Sequence, residues 1–293
     1  MSMPQYGAFR KFRPGHLIAT TLLTLVAVVL LLPIVFTFLY SLFPQSEIKA
    51  FLDSRNRFDE SMWMPLLYSP AEASLRQYYA ILIENLTVLN YYVNSAMYMA
   101  GILLGQAVIV PTTAFALAKF RFRGRELLFF TVIILMVLPF QVTMMPNMIT
   151  LNALGMLNTA WAVILPMWFA PFYIFLVRQF MVGVPDELLE AGSIDGAGPF
   201  RAFLHIMLPA CRPVLGAALA LSFADSWNLV EQPLVYLAGR QDMMPLSVMF
   251  NDSANYNAEV AFAGAAIYIL PAIFIYFIFQ EDILKGVQLS ELK

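Results

Sequence analysis

The sequence is short of charge, cysteine and histidine, and each shortage closes off a class of function. Only 12% of its 293 residues are Asp, Glu, Lys or Arg, against about 25% in an ordinary soluble domain. The single cysteine, Cys211, cannot close an internal disulfide, and with His16 and His205 far apart it forms no metal-ligand cluster. A net charge of −2 supplies none of the basic stripe that nucleic-acid binders carry, so nucleic acid is excluded as a partner. No G-x-x-x-x-G-K-[ST] phosphate loop occurs, and no Ser/His/Asp or Cys/His arrangement for nucleophilic catalysis can be picked out. The chain is therefore not expected to be an enzyme or to hold a cofactor or metal of its own.

Apolar residues are abundant instead: 60% of the chain is hydrophobic and 14% aromatic. That composition excludes a disordered, fibrous or disulfide-scaffold protein and points to lipid as the solvent. A helix needs about 20 mainly apolar residues to cross the hydrocarbon core, so uncharged runs are the primary signal. Leu17–Phe43, Asn85–Ala118 and Leu127–Val177 carry no charge at all. The last is long enough for two spans, with a turn at Asn152–Asn158 where Gly155 and the two asparagines supply the turn chemistry. Pro213–Leu237, despite Asp225 and Glu231, and Val260–Gln280 complete the set.

The reading is all-α and polytopic. Six spans lie at about 17–43, 88–118, 127–150, 159–181, 213–237 and 260–281, in one membrane domain over 17–293 after a short N-terminal segment, 1–16. Pro33, Pro111, Pro139, Pro166, Pro171 and Pro271 fall inside these runs, and kinks rather than helix ends are expected of them because a membrane bundle can re-satisfy the freed backbone. The first span is longer than a signal-peptide core and reads as an uncleaved anchor.

With this count, 12 of the 17 Lys and Arg residues fall on the side of the N-terminus, which predicts both termini in the cytoplasm. The sharpest basic element is the turn Lys119-Phe-Arg-Phe-Arg-Gly-Arg125, a topology anchor against anionic headgroups of the membrane lipid. The external segment Pro44–Glu84 mixes Asp53, Arg55, Arg57, Asp59 and Glu60 with Trp63, Tyr68, Tyr78 and Tyr79 and reads as a small ordered cap. A second external segment, Ala238–Glu259, is short and polar.

The cytoplasmic loop 182–212 announces two short helices. Pro185, followed by Asp186 and Glu187, suits a first helical position, and Leu188, Leu189 and Ile194 outline an apolar face. Asp195-Gly-Ala-Gly198 breaks the helix, Pro199 opens the next, and Phe200, Phe203, Leu204 and Met207 recur at helical spacing up to Pro209. Small residues at Ala191, Gly192, Gly196 and Ala197 permit close approach of another backbone, and Glu190 and Asp195 offer carboxylates to basic groups. Periodicity alone leaves two readings open, a docking element or an amphipathic segment on the bilayer surface.

Glu190-Ala191-Gly192, then Gly196, then Ile206-Met207-Leu208-Pro209 after nine residues, resembles the EAA loop (E-A-A-x3-G-x9-I-x-L-P) of binding-protein-dependent ABC importer permeases. Gly192 stands where a second Ala is usual. Ala114–Arg125, Leu138-Pro-Phe-Gln141, Leu154–Thr159, Phe175–Phe180 and Trp227-Asn228 with Pro233-Leu234 are similar to the maltose-type carbohydrate permeases, specifically their G-like inner-membrane subunit, from about Tyr91 to Leu237.

The resemblance implies a type I ABC importer permease fold in the inner membrane of a bacterial cell. It also implies four kinds of partner: a second, F-like permease, two copies of a cytoplasmic ATPase that binds ATP and Mg, an extracytoplasmic solute-binding protein, and lipid. Glu190, Ala191, Gly192, Asp195, Gly196, Ala197 and Pro209 become candidates for coupling to the ATPase. Gly192 costs helix propensity of about 1 kcal/mol relative to Ala. The implied solute is a di- or oligosaccharide, with monosaccharide derivatives, glycerol phosphodiesters and polyols left open.

Ionisable groups inside a span are expensive and call for a function. Asp225, Trp227 and Asn228, with Glu231 beyond them, are therefore candidates to line the path, the alternative being that they join helices to one another. The family's usual acid directly after Trp-Asn is Leu229 here. The competing function is an ion-coupled secondary transporter or channel working through Asp225 and Glu231.

Overall fold

The computed structural model describes residues 14–55, 70, 72–251 and 260–290, and among them every regular element is helical. Arg57, Asp59, Glu60, Trp63 and Tyr68 of the expected external cap lie outside the described residues. By packing the chain divides into two compact units, Met1–Tyr79 with Ala258–Ala266, and Ala80–Asn257 with Ile267–Lys293.

In the first unit, α1 (Pro14–Tyr40) has 27 residues, about 40 Å at 1.5 Å per residue, enough to cross a core about 30 Å thick. After it come α2 (Gln45–Arg55) and α3 (Arg76–Tyr79). Tyr40, Phe43 and Ile48 pack with Phe36, Leu39 and Phe262. The polar centre of this unit is Gln77, which is fully enclosed. Its Nε2 donates to the Tyr40 and Phe43 carbonyls, each at 2.8 Å, and its Oε1 accepts from the Ala263 amide at 3.4 Å. Helix ends leave carbonyls and amides without intrahelical partners, and one side-chain amide answers both kinds here. Tyr78 adds a hydroxyl contact to Ser41 at 2.8 Å.

The second unit is built on α4 (Leu86–Lys119), which packs against α7 (Ala160–Trp168), α8 (Pro171–Val182) and α12 (Arg212–Trp227). Small residues make this possible. A Cβ at Gly105 would overlap the Trp168 indole, whose Nε1 donates to the Gly101 carbonyl at 2.9 Å. Pro171 has no amide to give the Met167 carbonyl four residues earlier. Gln106 of α4 gives its Nε2 to that carbonyl at 2.6 Å, and its Oε1 accepts from Ser222 of α12. The freed backbone group thus becomes a joint between three helices.

Two of the expected spans are broken. The third is α5 (Arg125–Val137) and α6 (Phe140–Ala153), bent by 108°. Leu138 takes ψ 128°, because a residue before proline avoids the helical region, and Pro139 is itself extended at ψ 144°. Pro171 likewise opens a new helix after Ala170 at ψ 91°. At these two prolines the expectation of kinks gives way to helix boundaries, whereas Pro33, Pro111, Pro166 and Pro271 stay inside helices.

The fifth span is also not one helix over 213–237. α12 ends at Trp227, and α13 (Glu231–Tyr236) starts anew. Pro233 cannot donate to the Leu229 carbonyl, which instead accepts from the Ser247 hydroxyl of α14 (Leu246–Asn251). The last helix, α15, is Ala261–Ser290. Among the described residues four helices are long and apolar enough to span, or up to six if two bent pairs each count as one span, α5 with α6 and Pro199–Ala210 with α12, the latter bent by 77°. The turn expected at Asn152–Asn158 is present, with Gly155 at φ 67° and Asn158 at φ 61°.

Candidate functional site

The loop 182–212 folds as α9 (Glu187–Ile194), a turn, and a second helix that begins as α10 (Pro199–Ala202), widens into a π-helical stretch at Phe203–Met207 and closes as α11 (Leu208–Ala210). Asp195 ends α9. Gly196 then takes φ 83°, and its amide donates to Ser193 O at 3.0 Å while Ala197 N donates to Gly192 O at 2.9 Å. This is a Schellman closure, which needs a left-handed residue at its corner.

Pro209 lies within the second helix rather than ending it. Its missing amide is accommodated by the π widening just upstream, where Leu208 N reaches back to Phe203 O. Pro185 is also displaced from its expected place: the first helical residue is Glu187, with Asp186 at the cap.

The two helices of the loop meet where Gly192 lets Ile206 lie against the α9 backbone, since a Cβ there would run into the Ile206 Cδ1. Gly192 therefore serves a contact within the chain, and the smooth surface expected for a partner is left to Ala191 and Gly196, both exposed, with Ala197 half-buried. Leu189 turns inward against the core. Ile194, at 87% exposure, and Phe200, at 72%, stand out from the loop with Leu188, and Glu190, Asp195 and Pro209 are also exposed. The loop is an apolar and acidic surface outside the long apolar helices.

A contact that sequence reasoning missed fixes α9 to α4. The Lys119 ammonium donates to the Val184 carbonyl at 2.6 Å and to Asp186 Oδ1 at 2.5 Å. The hydrogen bond and charge of Lys119 hold the Asp186 carboxyl below its ordinary range. In the sequence Lys119 reads as part of a basic turn and Asp186 as a dipole-favoured acid. Their sequence separation gives no signal that they meet.

The mid-chain carboxylates are placed as follows. Asp225 is exposed, and its Oδ2 accepts from the Tyr173 hydroxyl at 2.5 Å. Glu231 is exposed and accepts from Gln141 Nε2 at 2.9 and 3.2 Å, so each carboxylate holds a neutral donor. Asn228 is exposed, with its Oδ1 accepting from the Tyr268 hydroxyl at 2.7 Å.

Trp227, the other candidate to line the path, is enclosed. It is 2% exposed, donates from Nε1 to Tyr268 O at 3.0 Å, and packs against Phe223, Tyr92 and Tyr268. A residue at a helix C-terminus facing neighbouring helices packs inward, and an indole both fills that space and finds its acceptor there. In the N-terminal half of α4, Asn94, Ser95 and Tyr98 hold the segment 242–246: Asn94 Nδ2 donates to Asp242 O at 2.9 Å, Tyr98 OH to Met243 O at 2.7 Å, and Ser95 Oγ accepts from Leu246 N at 2.8 Å.

Comparison with known proteins bears on this arrangement. Residues 97–287 match the family described as "Binding-protein-dependent transport system inner membrane component". The arabinooligosaccharides transport system permease protein AraQ of Halalkalibacterium halodurans is 31% identical over 232 residues, covering 78% of this chain and 82% of that one. The diacetylchitobiose uptake system permease protein NgcG of Streptomyces coelicolor is 31% identical, covering 67% of each. The sn-glycerol-3-phosphate transport system permease protein UgpE of Shigella flexneri is 30% identical, covering 68% of this chain and 72% of that one.

Among solved structures, a bacterial ABC transporter importing the acidic polysaccharide alginate superposes with a TM-score of 0.76 at 22% identity, over 95% of this chain and 99% of its counterpart. The polytopic all-α fold implied by the EAA resemblance is thus the observed fold. The chain belongs to the inner-membrane components of binding-protein-dependent transport systems.

Proposed function

We propose that the chain is the permease subunit of an ATP-driven carbohydrate importer that docks a cytoplasmic ATPase through α9 and the turn after it. The observation that carries the docking is the exposed set Leu188, Glu190, Ile194, Asp195 and Phe200 on a loop whose own backbone is closed by the Schellman turn at Gly196. Large apolar side chains outside hydrocarbon call for a cover, and a cleft on a partner protein provides it. The substrate class is a di- or oligosaccharide, on the strength of relatives named for arabinooligosaccharides and diacetylchitobiose.

The six spans at most among the described residues are too few to enclose such a solute alone, so a second, F-like permease completes the path, and both termini face the cytoplasm with the ATPase pair. An extracytoplasmic binding protein delivers solute to the opposite face, where the segment braced by Asn94, Ser95 and Tyr98 is available to receive it. Asp225, Asn228 and Glu231 face the path, while Trp227 shapes it from behind. ATP and Mg are held by the partner ATPase, and this chain contributes no catalytic residue. Closure of the ATPase pair moves α9 and, through it, the spans as near-rigid bodies.

The test is purification of the tagged chain in mild detergent, with identification of what accompanies it. An ATPase and a second permease are expected. Glu190→Ala and Gly196→Val are each expected to reduce bound ATPase by ten-fold or more while the chain stays in the membrane. A homo-oligomer without ATPase would overturn the reading in favour of the ion-coupled transporter.

A further inference from the structure

The docking helix has few ties to the rest of the molecule. None of its residues is buried, and its contacts run to the core through Leu189, to the second helix of the loop through Gly192 and Ile206, and to α4 through Asp186 and Lys119. The Asp186–Lys119 tie is built differently from an ordinary surface ion pair. The Lys119 side chain is 7% exposed although that of Asp186 is 67% exposed. The ammonium thus sits inside the fold and reaches outward.

Besides Asp186, Lys119 holds the Val184 carbonyl, on a residue that belongs to the same buried cluster as Phe115, Val177 and Met207. Asp186 occupies the N-cap of α9, where a short acidic side chain ordinarily accepts from the helix's own first amides. It makes no such capping bond. Its carboxylate is spent on Lys119 instead, so α9 gives up local stability for a connection to α4.

Lys119 is the last residue of α4, the 34-residue helix on which α7, α8 and α12 pack. A positive charge there is also favoured by the carbonyl end of the helix. The covalent routes from α9 lead back into α8 through Gly183–Pro185 and forward through the second helix of the loop into α12. The Lys119 tie is the direct route to the element that touches most of the bundle.

We propose that Lys119 is a positioning residue for transport, a strut that makes α4 move with α9 when the ATPase displaces the docking helix. The ammonium grips two points on either side of Pro185, a carbonyl and a carboxylate, so it fixes the direction as well as the distance of α9. An exposed ion pair alone would be screened and weak; the enclosed ammonium and its carbonyl partner are what make the strut stiff. The inference rests on α9 being the ATPase-docking element.

The experiment uses the whole complex, purified through this chain, with Cys211→Ala in the background and spin labels at Ser193→Cys on α9 and Leu104→Cys on α4. Distances are read without nucleotide and after trapping with Mg-ATP and vanadate, alongside the basal Mg-ATP hydrolysis rate. With Lys119 present, the label separation stays the same in the two states. In Lys119→Met the complex is expected to keep its ATPase and its basal hydrolysis within two-fold, but the separation shifts by more than about 2 Å, the scale of helix movements in switching proteins. Lys119→Arg, which keeps the charge and the donors, restores the constant separation.

A constant separation in Lys119→Met would overturn the strut. So would loss of the ATPase from that variant, which would make Lys119 part of docking itself. If the unmutated complex carries no ATPase, the docking reading fails, and the strut with it, by a result that does not involve Lys119.

Discussion

At the scale of single residues, this protein repeatedly uses a side-chain amide or hydroxyl to take up a backbone group that a helix end or a proline has released. Gln77 takes the Tyr40 and Phe43 carbonyls, Gln106 takes Met167, and Ser247 takes Leu229. A buried acceptor left without its donor costs about 1–3 kcal/mol. Gln77→Ala, which strips both carbonyls at once, is expected to destabilise the protein by at least that much, read as a lower melting temperature in detergent. Trp227 gives the second prediction. Because its indole is enclosed and bonded to Tyr268, Trp227→Phe should cost about 1 kcal/mol of stability and leave the order of preference among tested sugars unchanged; a reordered preference would return the ring to the path. None of these partners is adjacent in sequence, which is why Gln77 and Gln106 could not be singled out from it, while Trp227 could be noticed but not oriented.

Among the elements, α9 carries the prediction with a pH dependence. The carboxyl of Asp186 is held below its ordinary range by Lys119, so this carboxylate's contribution is fully present above the ordinary carboxylate pKa of about 3.9. It is lost only as the pH falls through the depressed value. Amide exchange at Leu189 and Glu190, which donate to Asp186 O, should therefore show unchanged protection from pH 7 to about pH 4, with protection falling below that. In Asp186→Asn the same amides should show no such acid-induced fall. The two-helix plan of this loop was legible from Pro199, the glycines and the apolar spacing. Its exact ends were not, because Pro185 and Pro209 each have two allowed placements and packing chooses between them. The broken third and fifth spans follow the same logic: a proline in an apolar run permits either a kink or a boundary, and Pro139 differs from Pro111 only in what surrounds it.

For the whole molecule, the distribution of Lys and Arg predicts an orientation that reporters can check. Fusions at residue 293 and in the basic turn near Arg123 should read as cytoplasmic, and fusions near Arg240 as external. An external signal from the C-terminal fusion would require an odd number of crossings, with one of the bent pairs, α5–α6 or the helices before and including α12, turning back instead of passing through. That alternative is specific because these two apolar pairs are bent by 108° and 77°.

The sequence by itself determined that the chain lives in a bilayer, where its long apolar helices lie, that a helix–turn–helix loop interrupts them, and to which family it is related. These are properties of composition, periodicity and local motif, carried within a few turns of chain. Only the tertiary structure decided that Trp227 is enclosed, that Gly192 receives Ile206, and that Lys119 reaches across to Asp186. Those outcomes depend on which helices lie side by side. The physical reason is that in a mostly apolar chain many faces are equally fit to be buried, so neighbours are chosen by small residues that admit close approach and by polar groups that must find partners, and both act across long separations in sequence.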